Sequence, residues 1–209
     1  MAKIIGFSGS TVKSGVVEKA MVQVLNATGS EWKLIRLNSL DMKQCIGCAG
    51  CVNTNRCVLK DEINDVLEKI EEADAVLIGA MARFGGLNAL TKQFFERLSA
   101  LFHNDVLKDK AVASVAGGLV DQPSVIEELS SIYKGYKMKE VGSLSIGGNA
   151  SCFKCGKGET CEKSVFRALH GDDAKITKDV FYVFEKDIDA VGKAVALGEK
   201  LGDLLANQE

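Results

Sequence analysis

Neither sign of charge dominates the sequence. Its 26 lysine and arginine residues and its 28 aspartate and glutamate residues leave a formal net charge of −2, and the basic residues are scattered among the acidic ones. Proteins that bind a phosphate backbone gather their basic side chains into a patch or a stripe. We therefore expect no nucleic-acid partner.

Long apolar segments are also missing. The longest apolar run, at 75–82, is far shorter than the ~20 residues that a membrane-spanning helix needs. The first residues reach a glycine and a serine before the apolar core of a signal peptide could form. We expect a cytoplasmic protein without membrane contact. The sequence also lacks a G-x-G-x-x-G motif, which argues against a tightly bound nicotinamide dinucleotide.

Cysteine is absent from most of the chain, and all seven cysteines fall in two short groups, at 45–57 and at 152–161. An odd number of cysteines without an export signal argues against a disulfide framework, because the cytosol keeps thiols reduced. Clustered thiols in such a protein indicate metal binding.

The hydrophobic pattern alternates between strands and helices. A chain of 209 residues suits one α/β domain and is short for two, so we expect a single domain over 1–209. Apolar runs predict strands at 3–8, 32–37, 75–79, 110–116 and 141–146, with helical spacing between them. This alternation predicts a doubly wound, flavodoxin-like α/β fold. Its five-stranded parallel sheet would have the order 2-1-3-4-5, with the cysteine groups in loop insertions.

The first cysteine group lies in a loop at 43–60 and has the spacing C-x2-C-x2-C-x5-C. Four soft thiolates in one loop are what a cubane [4Fe-4S] cluster needs. Zinc and a redox-active thiol pair are the alternatives. Gly47 and Gly50 allow the close wrapping and positive φ angles that such a loop needs. The predicted cluster ligands are Cys45, Cys48, Cys51 and Cys57.

The second group, Cys152, Cys155 and Cys161, repeats this spacing with one ligand missing. It predicts a metal site, and two alternatives stay open. One is an iron-sulfur cluster with a fourth ligand from another chain or from solvent, and the other is zinc completed by His170. The loop that carries the group, at 147–186, is longer than an ordinary connection, so it is either functional or partly disordered.

Three loops are expected at the carboxyl edge of the sheet, where ligands of doubly wound folds bind. The S-G-S-T sequence at 8–11 precedes the first helix and predicts a phosphate site at the positive helix end, although an ordinary capped turn has the same pattern. The loops at 80–86 and 117–119 end at the same edge. The candidate cofactor-binding residues are Ser8, Ser10, Thr11, Lys13, Gly15, Ala82, Arg83, Phe84, Gly85, Gly117 and Gly118.

Five short motifs resemble the iron-sulfur flavoproteins of the NADPH-dependent FMN reductase and flavodoxin-like group. They are S-G-S at 8–10, the first cysteine block, K-D-E at 60–62, E-A-D at 72–74 and K-Q-F-F-E-R at 92–97. The resemblance implies one FMN per subunit, a [4Fe-4S] cluster near the flavin, and a homodimer or homotetramer that brings the two cofactors together. It also implies electron exchange with a ferredoxin-like carrier.

The sequence departs from this family in two loops. Val16-Val17 replaces Asn-Thr in the phosphate loop, and the residues at 80–85 replace a Ser-Pro-x-Tyr-x-Gly loop that packs on the ring. Phe84 could stack on the flavin instead, and Arg83 could stabilise an anionic ring or a phosphate. A flavin carries one or two electrons and a cluster carries one, so the pair would split or merge electrons. The alternative functions are an NAD(P)H-dependent FMN or quinone reductase with structural cysteines, and a non-enzymatic metal-binding scaffold that has lost FMN.

Overall fold

The structure is a computed structural model that describes residues 2–207. Five parallel strands form its sheet in the order β2-β1-β3-β5-β6, and a short sixth strand, β4, pairs antiparallel with β3. The strands are β1 Lys3–Ser8, β2 Glu31–Arg36, β3 Ala75–Arg83, β4 Gly86–Leu87, β5 Ala111–Gly117 and β6 Lys139–Ile146. The parallel strands, counted in chain order, have the predicted 2-1-3-4-5 arrangement. The flavodoxin-like fold prediction is confirmed.

The additional strand β4 was not predicted. Ala82 pairs with Leu87, and Arg83 pairs with Gly86, so β3 and β4 form a two-residue hairpin. Its turn residues, Phe84 and Gly85, have φ values of +49° and +83°. Two positive φ angles in a two-residue loop match the backbone twist of a hairpin. A strand of two residues has no periodicity that a sequence pattern could show.

Helices cover both faces of the sheet. They are α1 Val16–Ala27, α2 Ile63–Glu72, α3 Ala89–Arg97, α4 Gln122–Gly135, α5 Val165–His170 and α6 Ile188–Ala206. Alternate strand residues face opposite layers. Ile5 and Phe7 of β1 pack with α2, α3 and α4, whereas Ile4 packs with α1 and α6. No helix within 2–207 is both long and apolar enough to cross a membrane.

The segment 147–187, between β6 and α6, is folded. It contains α5 and three short 3-10 turns. The ring of Phe153 packs edge-on against those of Phe166 and Phe181, with centroids 5.7 Å away in each case. Phe153 and Phe166 are both buried. A small aromatic core therefore lies under the second cysteine group.

Candidate cofactor sites

The first cysteine loop connects β2 to α2, at the carboxyl edge of the sheet. Its four cysteines line one cavity of about 210 Å³, together with Arg97 and His103. Cys45 and Cys48 are exposed, and Cys51 and Cys57 are half-buried. The structure thus brings the four predicted cluster ligands to the walls of one space.

Glycines shape this loop in two different ways. Gly47 has φ +64°, in the left-handed region that side chains other than glycine adopt at a cost. Gly50 lies against Val58, since a Cβ on Gly50 would be 2.7 Å from Val58 Cγ1. The first glycine is needed for a backbone angle and the second for a close approach, as the sequence pattern predicted for the pair.

A buried ion pair attaches the loop to α3. The Arg97 guanidinium donates to both carboxylate oxygens of Asp61, at 2.6 and 3.1 Å, and both side chains are almost fully buried. Arg97 also donates to the Lys43 carbonyl at 2.5 Å. Burial opposes ionisation of Asp61, but hydrogen bonds from Arg97 and from the Lys43 and Ile63 amides outweigh it and keep the pKa of Asp61 below its ordinary value. The pair therefore remains charged inside the protein.

Arg97 also reaches a cysteine. Its second terminal nitrogen donates to Cys57 Sγ at 3.2 Å. The backbone of Cys57 is fixed as well, because Asn64 accepts from its N–H at 2.8 Å and donates to its carbonyl at 2.9 Å. Burial raises the pKa of the Cys51 thiol, and the charges of the other three cysteines of the loop raise it further. Arg97 and Asn64 thus fix the position of Cys57 in the loop.

The donor set fits a cluster in its chemistry, with four thiols and an N–H of Arg97 directed at the Cys57 sulfur. The side chains themselves are not drawn together. Among residues 2–207, no three Cys, His, Asp or Glu side chains are grouped so that they could hold a metal ion.

The predicted phosphate loop joins β1 to α1. Ser8 Oγ is buried at the end of β1 and has no hydrogen-bond partner in the described chain. Ser10, also buried, accepts from the Val12 N–H at 3.2 Å. Helix α1 has Gly15 as its N-cap, which offers no side-chain acceptor to the first helical amides. Free amides at a helix N-terminus and an unpaired hydroxyl fit an anion such as a phosphate.

The valines of this loop have a packing role. Val17 is fully buried, and a Cβ on Gly117 would lie 2.5 Å from Val17 Cγ2. Glu18, in the first turn, accepts from the Ser14 N–H at 2.8 Å and from Arg36 Nε at 2.6 Å. This contact resembles a capping box, in which a third-position carboxylate returns to the chain before the helix. Here Val17 and Glu18 stabilise the loop from inside the protein.

The other two predicted loops meet the first at the same edge. Gly118 lies against Ala82, where a Cβ would come within 2.7 Å of the Ala82 Cβ. Phe84 is fully exposed at the hairpin tip, beside Arg83 and Gly85. Lys13 and Thr11 are exposed on the phosphate loop.

Sequence reasoning missed a buried asparagine that connects these loops. Asn88 donates to the Gly9 carbonyl at 2.9 Å and accepts from the Met81 N–H at 3.1 Å and from Thr91 Oγ1 at 2.8 Å. It therefore fixes the phosphate loop against the end of β3. Its position just before an apolar helix was the available signal, because asparagine is a common helix N-cap. The pairing of Asp61 with Arg97 was missed as well, although both residues lie in the matched K-D-E and K-Q-F-F-E-R motifs.

The second cysteine group lies on the folded segment after β6. Cys152 is half-buried, and Cys155 and Cys161 are exposed. The exposed His170 packs on the Phe166 ring, with centroids 4.9 Å apart.

Comparison with known proteins identifies a family to which the chain is similar. Residues 2–150 match the family described as NADPH-dependent FMN reductase. The chain is 30% identical to an iron-sulfur flavoprotein of Methanocaldococcus jannaschii over 146 residues, which cover 67% of this chain and 76% of that one. It is 26% identical to an iron-sulfur flavoprotein of Methanosarcina thermophila over 191 residues, which cover 90% of this chain and 99% of that one.

Among solved structures, a WrbA-like flavodoxin of Agrobacterium tumefaciens is similar with a TM-score of 0.58 at 10% identity, and the match covers 100% of both chains. This likeness supports the fold. The family match includes all six strands, the first cysteine loop and the three loops at the carboxyl edge, and it ends before the second cysteine group. On these grounds the chain belongs to the NADPH-dependent FMN reductase family.

Proposed function

We propose that this protein is an electron-transfer flavoprotein that binds FMN at the carboxyl edge of its sheet and a [4Fe-4S] cluster on the first cysteine loop. The observation that carries the proposal is the cavity of about 210 Å³ lined by all four cysteines, with Arg97 donating to Cys57 Sγ at 3.2 Å. The relatives named iron-sulfur flavoprotein support it. The ligands would be Cys45, Cys48, Cys51 and Cys57.

Arg97 would serve the cluster in two ways. It attaches the loop to α3 through Asp61 and the Lys43 carbonyl, and it directs an N–H at Cys57 Sγ. Hydrogen bonds to ligand sulfurs and nearby charge tune the reduction potential of an iron-sulfur cluster. A positive charge stabilises the more negative, reduced form, so Arg97 would raise the potential.

The three edge loops would contact different parts of the flavin. Free amides at the start of α1, with the hydroxyls of Ser10 and Thr11, would bind the phosphate. The ring would lie near the exposed Phe84 and the glycines at 117 and 118. When bound, the flavin would supply one- or two-electron transfer, and the cluster would carry single electrons.

The proposed redox partner is a ferredoxin-like carrier, and the proposed assembly is a homodimer or homotetramer. Ile46 and Val58, two apolar side chains that line the cysteine cavity, are 65% and 57% exposed. An exposed apolar rim around a redox centre suits a transient protein contact. Close approach to the cluster is what electron exchange with such a carrier requires.

The direct test is anaerobic purification followed by iron, acid-labile sulfide and flavin assays on one sample. We expect about four irons and four sulfides per chain, as a cubane cluster requires, and one FMN. Steady-state NAD(P)H turnover by an iron-free protein would instead select a reductase with structural cysteines. The family's description as NADPH-dependent FMN reductase favours that function as the second candidate.

A second experiment tests the flavin site alone. Val16, half-buried at the start of α1, stands where the family resemblance implies an asparagine. We expect Val16→Asn to tighten FMN binding several-fold in a fluorescence titration, because the amide adds a donor for the phosphate. Val22→Asn, a half-buried valine on the same helix, is the matched control. An equal effect of both variants, or no FMN binding at all, would favour the third function, a metal-binding scaffold that has lost FMN.

A further inference from the structure

The second cysteine group lies outside the family match, which ends at residue 150. Its three cysteines, Cys152, Cys155 and Cys161, therefore need an explanation of their own. Their backbone is folded, but their side chains, like those of the first group, are not gathered around a common point within the described residues. Cys155 and Cys161 are exposed, so their side chains can change rotamer at little cost.

Backbone contacts place the second and third cysteines on either side of Lys157. The Lys157 N–H donates to Cys155 Sγ at 3.4 Å, and the Lys157 carbonyl accepts from the Cys161 N–H at 2.9 Å. Between them Gly156 has φ +75°, which turns the chain back toward the sulfur. An N–H directed at a cysteine sulfur stabilises the thiolate, the form that binds metal. The loop therefore has a turn suited to a thiolate ligand.

The loop is also drawn tight between the first and third cysteines. Gly158 is buried, and a Cβ there would lie 2.1 Å from the Cys152 carbonyl oxygen. Ser164 Oγ donates to the Gly158 carbonyl at 2.5 Å and fixes the same close approach. Cys152 directly precedes Phe153, whose ring packs in the aromatic core. The backbone that would carry three ligands is thus compact before any metal binds.

The charges around the group complement three thiolates. Arg167 donates to the Cys161 carbonyl at 3.3 Å, and its buried Nε has no acceptor among residues 2–207. Three exposed lysines lie in the same stretch, at 154, 157 and 163. Three thiolates with one divalent cation carry a net charge of −1. The three lysines exceed Glu159 and Glu162 of the same stretch by one charge and so offset it, while Arg167 is paired with Asp172 at 2.7 Å.

From this arrangement we propose that Cys152, Cys155 and Cys161 form a second metal site that binds one zinc ion. A C-x2-C pair closed by a third cysteine supplies three of the four positions of tetrahedral zinc. A cubane is held by four cysteine thiolates, one more than this group supplies. The zinc ion crosslinks the segment 147–187, and its binding does not depend on the cluster on the first loop. Each cysteine releases its thiol proton when it binds the ion.

The test is metal analysis of the full-length protein, made with zinc and iron in the medium. We expect one zinc per chain in the wild type. The zinc should be lost in Cys155→Ser and in Cys161→Ser, which should keep the iron of the wild type, and it should be kept in Cys48→Ser. Lys178→Ala, an exposed lysine of the same segment that lies outside the cysteine group, is the control and should keep its zinc.

A measurement on the unmodified protein guards against misfolded variants. Titration of zinc-free protein with Co²⁺ should give thiolate-to-cobalt charge-transfer absorption that saturates at one equivalent and is reversed by Zn²⁺. It should also protect three thiols from a thiol reagent. A wild type without zinc, zinc retained in both Cys155→Ser and Cys161→Ser, or iron and sulfide lost in those variants would each overturn the proposal. Because Cys48→Ser reports on the first loop alone, failure of the cluster and failure of the zinc site are distinguishable.

Discussion

The two cysteine loops have similar spacings but different structural support. The first is attached to the main core through the buried pair of Arg97 and Asp61, whose side chains are 1% and 0% exposed. The second rests on its own aromatic core, and its ion pairs, such as Arg167 with Asp172, are more exposed, at 24% and 78%. Perturbing the first loop should therefore affect the whole fold, whereas perturbing the second should have local effects.

This difference matches the proposed roles. A cluster that exchanges electrons benefits from a rigid second layer, because its potential depends on hydrogen bonds to the sulfurs. A structural zinc ion supplies rigidity itself, so its loop needs less support from the rest of the protein. The first loop thus depends on the fold, and the conformation of the second would depend on its metal.

The largest expected effect is on iron content. Cys48→Ser should lose nearly all cluster iron, because a cubane that loses one of its thiolates from a single loop is poorly retained. Cys155→Ser, the matched change in the second loop, should keep it. Iron and sulfide assays on both anaerobic variants check this. Equal iron in the two variants would contradict the assignment of separate roles.

The second effect is on global stability. Arg97→Ala leaves the Asp61 carboxylate buried and unpaired, which costs roughly 3–5 kcal/mol in the free energy of unfolding. Urea denaturation of the metal-free protein measures it. Lys92→Ala is the control, since Lys92 pairs with Glu128 at the surface and such pairs contribute about 1 kcal/mol or less. Similar losses in the two variants would show that the buried pair is not what anchors the first loop.

Arg97 also offers a test of electrostatics. In variants that retain the cluster, Arg97→Lys should keep the potential closer to the wild type than Arg97→Gln does, because lysine keeps the positive charge. Gln should lower the potential, since the reduced cluster loses a stabilising charge. Redox titration followed by electron paramagnetic resonance measures both. An unchanged potential in Arg97→Gln would limit Arg97 to a structural role.

A local effect is expected in the second loop. Phe153→Ala removes the centre of the aromatic core, and a buried Phe→Ala change costs roughly 3–5 kcal/mol where the packing is lost. The loss should be confined to this segment, as faster amide hydrogen exchange at 151–171 with unchanged exchange in the sheet. Phe102→Ala, whose side chain is 46% exposed, is the control. Faster exchange across the sheet would show that the two regions are coupled.

The smallest effect concerns pH. The pKa of Asp61 is below its ordinary value of 3.8, so its stabilising contribution is present above that pH and is lost as the pH falls through the lower folded pKa. One such group gives a slope of at most about 1.4 kcal/mol per pH unit. Asp61→Asn should remove this part of the acid dependence in urea titrations. A variant as acid-sensitive as the wild type would contradict it.

Much of the fold could be predicted because its signal is local. Apolar runs mark the parallel strands, and the central strand at 75–79 is continuously apolar since helices cover both of its faces. The observed strand boundaries differ from the predicted ones by only a few residues; the largest difference is in β3, which extends to Arg83. The prediction that the segment after β6 is functional or partly disordered did not specify its fold. Its core joins Phe153 to Phe166 and Phe181, and such widely separated aromatic residues show no period in the sequence.

The site was predictable only in part. The cysteines carry their own spacing, but the Arg97–Asp61 pair joins residues 36 positions apart, and its meaning appears only when α3 packs beside the loop. Asn88 and Glu18 belong to the same class, since their partners at Gly9 and Arg36 are distant in sequence. Tertiary contacts of this kind leave no short-range pattern in a single sequence.

The most direct test of the central claim is an anomalous difference map of oxygen-free crystals, collected on both sides of the iron edge. The account predicts a strong iron peak enclosed by the sulfurs of Cys45, Cys48, Cys51 and Cys57, with Arg97 beside Cys57. Absence of iron from that cavity, with the four sulfurs directed apart, would contradict it.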